Sequence, residues 1–312
     1  MKILMFGRGV IAAVYGWALE KAGHEIEFYV RPGRAEQYGD AIDLDLLDAR
    51  RRLRGRQVTE KWPVRYRETL EPDHDFDLIL VSVQHYRFAE AMSFLAPRVG
   101  RATVLIFNNL WVEPAAAVEA LPADQVIWGF PGAGGGFDGD GVLRAALLPM
   151  VFFGTLGGPP TERDQAVRAV FRQAGLRLRE TDDFRGWLFV HFIQNAGIHT
   201  QSLKLGSLSA LGGNPRSVRE AILAIRELLP LVEARGVDLR RQRAELRPFT
   251  APTWLTAPVM AWMFGHFPPT RRVGEAHANP EELRAVCRDT LAEARRLKVP
   301  VPRLEASERY HG

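Results

Sequence analysis

Two histidines and an asparagine recur every four residues in one apolar segment, as His191, Asn195 and His199. In a helix this spacing places the three side chains on one face. Reduction of a ketone by hydride needs a group that stabilises the developing alkoxide and donates a proton, and a histidine with a pKa near neutrality suits that role. Asn195 can orient the carbonyl. Alternatively the stripe is exposed, or His191 and Gln194 cap buried carbonyl groups, and Lys204 is a second candidate donor.

A glycine-rich turn near the start of the chain predicts the source of such a hydride. The apolar run 3–6 leads into Gly7-x-Gly9-x-x-Ala12, and a helical pattern follows. Gly7 permits a tight turn, Gly9 allows a pyrophosphate to approach the backbone, and the small Ala12 allows the helix to pack closely on the strand. The motif lies between a predicted strand and a predicted helix, so it indicates a dinucleotide site. The other predicted cofactor-binding residues of this turn are Arg8, Val10 and Ile11.

The residues after the second predicted strand, 25–30, distinguish between the two nicotinamide cofactors. An NAD site carries Asp or Glu here, which binds the ribose 2′-hydroxyl. This chain has Arg31 and Arg34 instead. Guanidinium groups bind a phosphate bidentately, so the sequence predicts NADP(H). The alternative is that both are ordinary surface arginines in an Arg-rich chain.

Two further polar side chains follow predicted buried strands at 75–83 and 102–107. These are Gln84 and Asn108, and ligands of doubly wound sheets bind beyond the carboxyl ends of the strands. We therefore expect both amides beside the nicotinamide and its ribose. Each amide is equally suited to forming a turn.

The order of the elements predicts the fold. Strand and helix patterns alternate to about residue 182, and the clearest patterns beyond it are helical, at 187–205, 217–234 and 281–297. The fold class is therefore α/β, a doubly wound Rossmann domain (1–182) followed by an all-helical C-terminal domain (183–312).

Three details complete this prediction. The glycine-dense stretch 131–141 is expected to be a loop, and 142–155 is expected to return as a strand or hairpin. Four prolines are expected to break helical structure between the last two predicted helices: Pro252, Pro258, Pro268 and Pro269.

Composition excludes several classes of function. The net charge is only +4, and the Arg-rich run 48–56 has no interleaved aromatic residues, so we expect a solvated surface and no nucleic-acid partner. The single cysteine, Cys287, excludes an internal disulfide, and the histidines show no metal-ligand spacing, so no metal is expected. The longest apolar stretch, 254–267, is too short to cross a bilayer. The first strand begins at residue 2, so we expect no signal peptide and a cytoplasmic protein. We also expect a homodimer, because twofold dimers are the commonest oligomers.

These features resemble the ketopantoate reductase family, also called 2-dehydropantoate 2-reductases, over nearly the whole chain. The resemblance rests on the opening 2–12, Tyr15-Gly16, Ala22-Gly-His24, Arg31, the strand 77–83, and the C-terminal run from Glu282 to Pro302. It implies an NADPH-dependent reductase of a small 2-oxo acid or a related carbonyl compound. It also implies that Asn108 lies near nicotinamide and substrate, and that Glu282 is a substrate-site glutamate.

The resemblance fails at the family's lysines. The strand before Gln84 ends without one. The first helix of the family's second domain carries a catalytic lysine two residues after a tryptophan, then asparagines four and eight residues later. If the chain is aligned on Trp187, these positions hold the residues Phe189, Ile193 and Gly197, and none of them can polarise a carbonyl.

A shift of two residues places Asn195 at the second of these positions but loses the match at Trp187. We expect His191 and Asn195 to be catalytic, together with Glu282. Two other functions remain open. One is an inactive NADP(H)-binding sensor that lost the lysines, and the other is an enzyme similar to the opine dehydrogenases, which also pair such a domain with a helical one.

Overall fold

The computed structural model describes residues 1–277 and 279–311. The chain divides into two compact units. The first contains Met1–Asn108 and Val112–Phe184, and the second contains Asn109–Trp111 and Arg185–Gly312. Throughout the described residues, strands occur only in the first unit, and the second unit is helical.

The first unit contains twelve strands in the described part of the chain. In chain order they are β1 (Lys2–Phe6), β2 (Glu25–Tyr29), β3 (Ala41–Asp48), β4 (Arg56–Pro63), β5 (Tyr66–Arg67), β6 (Leu78–Val81), β7 (Thr103–Ile106), β8 (Val126–Phe130), β9 (Ala133–Phe137), β10 (Leu143–Leu147), β11 (Met150–Gly154) and β12 (Arg177–Thr181). Its helices are α1 (Val10–Glu20), α2 (Ala35–Tyr38), α3 (Phe88–Leu95), α4 (Pro114–Ala117) and α5 (Glu162–Gln173).

Eight of these strands form the main sheet, in the order β12-β11-β8-β7-β6-β1-β2-β5. The strands from β5 to β8 are all parallel, whereas β11 runs antiparallel to β8. From β1 the chain first adds strands on one side, β2 and β5, and then on the other, β6 to β8. Because the strand order reverses between β1 and β6, a ligand is expected at the carboxyl ends of these two strands. This arrangement confirms the predicted doubly wound fold.

The helix α1 is held tightly against the strands around it. Nearly all of its residues from Ala12 to Leu19 are completely buried. Gly16 is required by close packing, because a Cβ there would lie 3.0 Å from Phe28 and 3.2 Å from Trp62. The hydroxyl of Tyr15 accepts a hydrogen bond from the Gly132 backbone N–H at 2.9 Å. These contacts determine where the N-terminus of α1 lies.

A second sheet of four strands, in the order β4-β3-β10-β9, corrects two predictions. The stretch 131–141, predicted to be a loop, contains β9. The stretch 142–155 contains strands, as one predicted alternative had it, but not the hairpin, because β10 and β11 belong to different sheets. The glycines of β9 allow close strand approach. A Cβ at Gly135, which has a φ of +153°, would lie 2.2 Å from the Arg144 carbonyl oxygen. Strand β3 was not predicted.

The second unit consists of helices joined by short turns. They are α6 (Phe184–Leu205), α7 (Pro215–Ala234), α8 (Arg243–Thr250), α9 (Thr253–His266), α10 (Pro268–Ala276), α11 (Pro280–Leu297) and α12 (Pro302–Ala306). Helices α6, α7 and α11 were predicted, whereas α8 to α10 were not. Among the described residues, no helix combines the length and apolarity that a bilayer span requires.

The prolines of this unit act in two ways. Pro252 is the N-cap of α9 and Pro268 is the first residue of α10, so both mark helix boundaries as predicted. Pro258, in contrast, lies inside α9, and its predicted break is wrong. Pro258 is exposed, so water can satisfy the Trp254 carbonyl that lacks its helical hydrogen bond.

The close approach at Gly135 gives a test of the second sheet. Gly135→Ala should lower the free energy of unfolding by about 2–4 kcal/mol, because the new methyl group meets backbone atoms and φ is unfavourable for alanine. Gly139→Ala is the matched control, since a Cβ there has no neighbour within 4 Å. Chemical denaturation measures both. Equal changes in the two variants would contradict the pairing of β9 with β10.

Candidate functional site

The turn between β1 and α1 has the geometry that a pyrophosphate needs. Gly7 has a φ of +97°, and its N–H donates to the Tyr29 carbonyl at 2.9 Å. Gly9 is the extended N-cap of α1, where a Cβ would project toward the Ser82 carbonyl at 3.9 Å. Ala12 is completely buried, and Val10 and Ile11 pack against the core. The surface of this turn that a pyrophosphate would approach is therefore formed by the backbone atoms of Gly7 and Gly9.

Among the described residues, the first turn of α1 has neither a side-chain cap nor an acidic residue. The helices α9 and α10 share this feature, whereas α5, α7 and α11 are capped by the side chains of Thr161, Asn214 and Asn279. Only α1 has the glycine turn before it. The first N–H groups of a helix need acceptors and carry partial positive charge, so the end of α1 fits an anionic group.

Arg8 projects from this turn into an aromatic pocket that the sequence did not predict. Its Nε donates to the Tyr66 hydroxyl at 2.8 Å. Its guanidinium lies 4.8 Å from the centre of the Tyr38 ring and 4.4 Å from that of Phe137. These partners come from α2, β5 and β9, which are far apart in sequence. The contacts hold a positive charge beside the glycine turn.

The loop after β2 presents Arg31 and Arg34 to solvent. Arg34 donates to the Gln37 side chain at 2.8 Å. The carboxylate of Glu68 accepts the Ala35 N–H at 2.8 Å. This bond, with those from Gly33 and Arg34, holds the pKa of the Glu68 carboxyl below its usual value. Glu68 therefore fixes the backbone of the loop and leaves the two guanidiniums accessible.

The two predicted amides at the strand ends differ in their surroundings. Gln84 is exposed at the start of the turn after β6. Asn108 is buried, and its amide donates to the Val83 carbonyl and accepts the Val83 N–H. The Asn108 side chain thus holds the segment after β6 against the end of β7. The structure shows it as a positioning group at this edge.

In the second unit, α6 has one face in the core and one that is half-buried and polar. Phe189 and Ile193 are completely buried. A Cβ at Gly197 would lie 2.3 Å from Ile225, so this face packs directly on α7. The alignment on Trp187 therefore places the family's three polar positions where a polar side chain has no access to solvent or ligand.

His191, Asn195 and His199 lie instead on a half-buried face of α6. The His191 ring stacks on Trp187, with 5.0 Å between ring centres and 7° between planes. Within residues 1–277 and 279–311 the Asn195 amide has no hydrogen-bond partner. Gln194, in contrast, donates to the Glu245 carbonyl at 3.3 Å, as the capping alternative predicted for it. Lys204 is exposed near the end of the helix.

The charge state of His191 differs from the expectation. Burial lowers the pKa of His191 to about 4, not near neutrality. The imidazole is therefore neutral at pH 7. A neutral imidazole still donates a hydrogen bond to a developing alkoxide, as the neutral catalytic histidine of triosephosphate isomerase does. A pKa of about 4 therefore does not fit the predicted proton donor with a pKa near neutrality.

Two other polar groups of the second unit are available for a ligand. Glu282 is half-buried in the first turn of α11, and its carboxylate has no ion pair or hydrogen bond in the described part of the chain. Asn109 has a buried carboxamide oxygen without a partner among the described residues. It lies two residues from Trp111, which stacks on Phe192 of α6 at 4.8 Å. Asn109 was not among the predicted site residues.

Comparisons with known proteins agree with this geometry. A sequence profile of the family described as Ketopantoate reductase PanE/ApbA matches residues 3–158, half of the chain. The 2-dehydropantoate 2-reductase of Halobacterium salinarum is 28% identical over 172 residues, which cover 55% of this chain and 57% of that protein. The match thus spans little more than half of this curated relative.

Solved structures extend the likeness over the full length. The 2-dehydropantoate 2-reductase of Geobacter metallireducens has a TM-score of 0.73 at 19% identity, covering 100% of this chain and 99% of the other. A D-mandelate dehydrogenase solved with NADH and anilino(oxo)acetate has a TM-score of 0.70 at 14% identity, covering 100% and 97%. Such identities show a shared fold. The profile match over half of the chain shows that this protein belongs to the ketopantoate reductase PanE/ApbA family.

Proposed function

We propose that this protein is an NADPH-dependent reductase of a small 2-oxo acid or a related carbonyl compound. The observation that carries this proposal is the polar face of α6, which presents His191 and Asn195, whose amide has no hydrogen-bond partner among the described residues. In this proposal the two residues take the places of the family's lysine and asparagine in a register shifted by two residues. The other register lies in the core. When bound, the nicotinamide supplies hydride to the carbonyl carbon.

The roles of the protein's own groups follow from their charge and hydrogen-bonding capacity. His191 donates a hydrogen bond to the substrate carbonyl oxygen as negative charge develops there. Asn195 donates a second hydrogen bond and orients the carbonyl. Because His191 is neutral, the proton that completes the alcohol comes from water. Glu282 binds a donor group of the substrate, and Gln84 binds the nicotinamide amide.

The preference for NADPH rests on charge around the glycine turn. Arg31 and Arg34 are accessible after β2, and Arg8 is held at the turn by Tyr66. The carboxylate of Glu68, which contacts the backbone of this loop, is engaged by N–H groups. A 2′-phosphate therefore meets guanidinium groups where an NAD site would offer a free acid.

We further propose that the protein assembles as a homodimer through α9. Five large apolar side chains of this helix are exposed: Trp254, Leu255, Val259, Trp262 and Met263. Leu255, Val259 and Met263 are four residues apart, and Trp254 and Trp262 are eight residues apart in the adjacent row, so the five side chains lie on one side of the helix. An exposed apolar surface of this kind marks an interface, and a twofold dimer is the commonest assembly.

The reaction itself is tested by mixing purified protein and NADPH with a panel of 2-oxo acids that includes 2-dehydropantoate, pyruvate and benzoylformate. We expect loss of NADPH absorbance with at least one of them, and formation of the corresponding 2-hydroxy acid. NADPH binding without turnover on the whole panel would favour the sensor instead.

Cofactor selection has its own test. The double variant Arg31→Ala/Arg34→Ala should bind NADPH about 10- to 100-fold more weakly, because charge-assisted hydrogen bonds to the 2′-phosphate are lost. Its NADH affinity should be unchanged. Arg101→Ala, another exposed arginine of the first unit, is the control and should bind both cofactors normally. Tighter binding of NADH than NADPH by the unmodified protein would overturn the assignment.

The register on α6 is tested by moving a lysine along the helix. His191→Ala should lower kcat by about 100- to 1000-fold, since removal of one donor to the developing oxyanion has that effect. His191→Lys should restore much of the rate. Phe189→Lys is the matched control, and it should be inactive and destabilised because position 189 is in the core.

The pH profile of the same enzyme reports the charge of His191. Since the pKa of His191 is about 4, kcat should not fall as pH rises through 6–7, where a protonated histidine acid would be lost. Activity that falls with a midpoint near 6.5 would show that the imidazolium is the donor.

A further inference from the structure

A cavity with a volume of about 570 Å³ lies in the first unit, at the opposite end of α1 from the glycine turn. Its walls come from the last turn of α1, the C-terminal end of α5, and the turn between β3 and β4. It is large enough for a small-molecule ligand. Since α1 has 11 residues, the cavity is about 16 Å from the cofactor turn.

Part of the charge in this cavity is already neutralised within the protein. Asp48 pairs bidentately with Arg50 at 2.9 Å, and Glu60 pairs with Lys21 at 2.6 Å. Arg50 also donates to the Ala174 carbonyl at the end of α5, at 2.6 Å. These contacts satisfy the two carboxylates of the lining and the Ala174 carbonyl at the end of α5.

Three lining arginines remain after this pairing: Arg51, Arg52 and Arg56. All three are exposed, and in the described residues none has an ion pair or a side-chain hydrogen bond. The cavity therefore has an excess of three positive charges. A pocket that concentrates like charge attracts an anion of opposite charge.

The turn that carries Arg51 and Arg52 and leads into β4 at Arg56 is anchored. The Gly55 N–H donates to the Arg52 carbonyl at 2.8 Å, and Gly55 has a φ of +80°. A Cβ at Gly55 would lie 2.4 Å from Leu47, which is buried, so the turn packs directly on β3. The positions of the arginine backbones are thus set before any ligand binds.

We propose that this cavity is a second binding site, which takes a metabolite bearing two or more phosphate charges. Arg51, Arg52 and Arg56 would bind the phosphate oxygens bidentately, and Arg50, paired with Asp48 and held over the Trp17 ring at 5.2 Å, forms a fixed part of the wall. The site is separate from the proposed cofactor site and does not depend on the reaction catalysed.

Isothermal titration with inorganic pyrophosphate tests this site. The unmodified protein should bind pyrophosphate at this cavity whether or not the glycine turn also binds it, and Arg52→Ser/Arg56→Ser should bind at the cavity at least about tenfold more weakly. Arg54→Ser is a matched control, because Arg54 is equally exposed in the same turn but does not line the cavity. It should bind normally. All three proteins should have the same melting temperature, since the altered side chains are exposed.

Four outcomes would overturn the proposal. One is the absence of saturable pyrophosphate binding by the unmodified protein. Another is an equal loss of affinity in Arg54→Ser, which would show diffuse attraction to a basic surface. The third is unchanged affinity in Arg52→Ser/Arg56→Ser, which would place the pyrophosphate elsewhere, for example at the glycine turn. A parallel titration with citrate distinguishes phosphate from carboxylate recognition, and equal affinity would contradict the stated ligand class.

Discussion

The close packing of α1 is the constraint on which the first unit depends. A helix end can bind an anion only if its N–H groups are held at one place and no protein group satisfies them. Gly16 allows α1 to contact Phe28 and Trp62, and Tyr15 ties it to Gly132. These contacts fix the helix from its middle, so that its first turn needs no cap. The positions of Gly7 and Gly9 follow from that placement.

The second unit has a different constraint, since its longest described helix, α6, packs in the core and also carries the proposed catalytic residues. Helix α6 is apolar around most of its circumference, and Phe189, Ile193 and Gly197 give it a tight contact with neighbouring elements. Only a narrow polar strip remains. A charged lysine in that strip would be partly desolvated, whereas His191 is neutral there. The proposed replacement of the family's lysine by His191 is therefore compatible with a retained donor, because a neutral imidazole can occupy half-buried surroundings without the cost of a buried charge.

Local patterns were sufficient to predict some of these features and insufficient for others. The turn at Gly7 and Gly9 follows from spacing and backbone freedom over a few residues, so the sequence predicts it. The strand β9 does not follow, because the reason for Gly135 lies in the approach of Arg144, in another strand. In the same way, spacing places His191 and Asn195 on one face, but which face is buried depends on α7.

The same limit applies to single polar residues. Asn108 was predicted as a cofactor ligand from its place at a strand end, yet its amide bonds to Val83, a contact that spans 25 residues. Arg8 was predicted only as part of a turn, although Tyr38, Tyr66 and Phe137 hold its guanidinium. A motif therefore identifies the backbone of such a site, whereas tertiary contacts decide what each side chain does.

The C-terminal end of α1 shows why the partners of each basic side chain must be identified before its charge is interpreted as a binding site. A helix C-terminus attracts cations, so basic residues near the end of α1 or α5 need no ligand to explain them. Lys21 and Arg50 need no ligand. Lys21 is the C-cap residue of α1 and pairs with Glu60, and Arg50 donates to the Ala174 carbonyl at the end of α5. Arg51, Arg52 and Arg56 are not explained in this way, since they contact neither a carboxylate nor such a carbonyl. Only charge that remains after such pairing is evidence for a ligand, and at this end of α1 it remains.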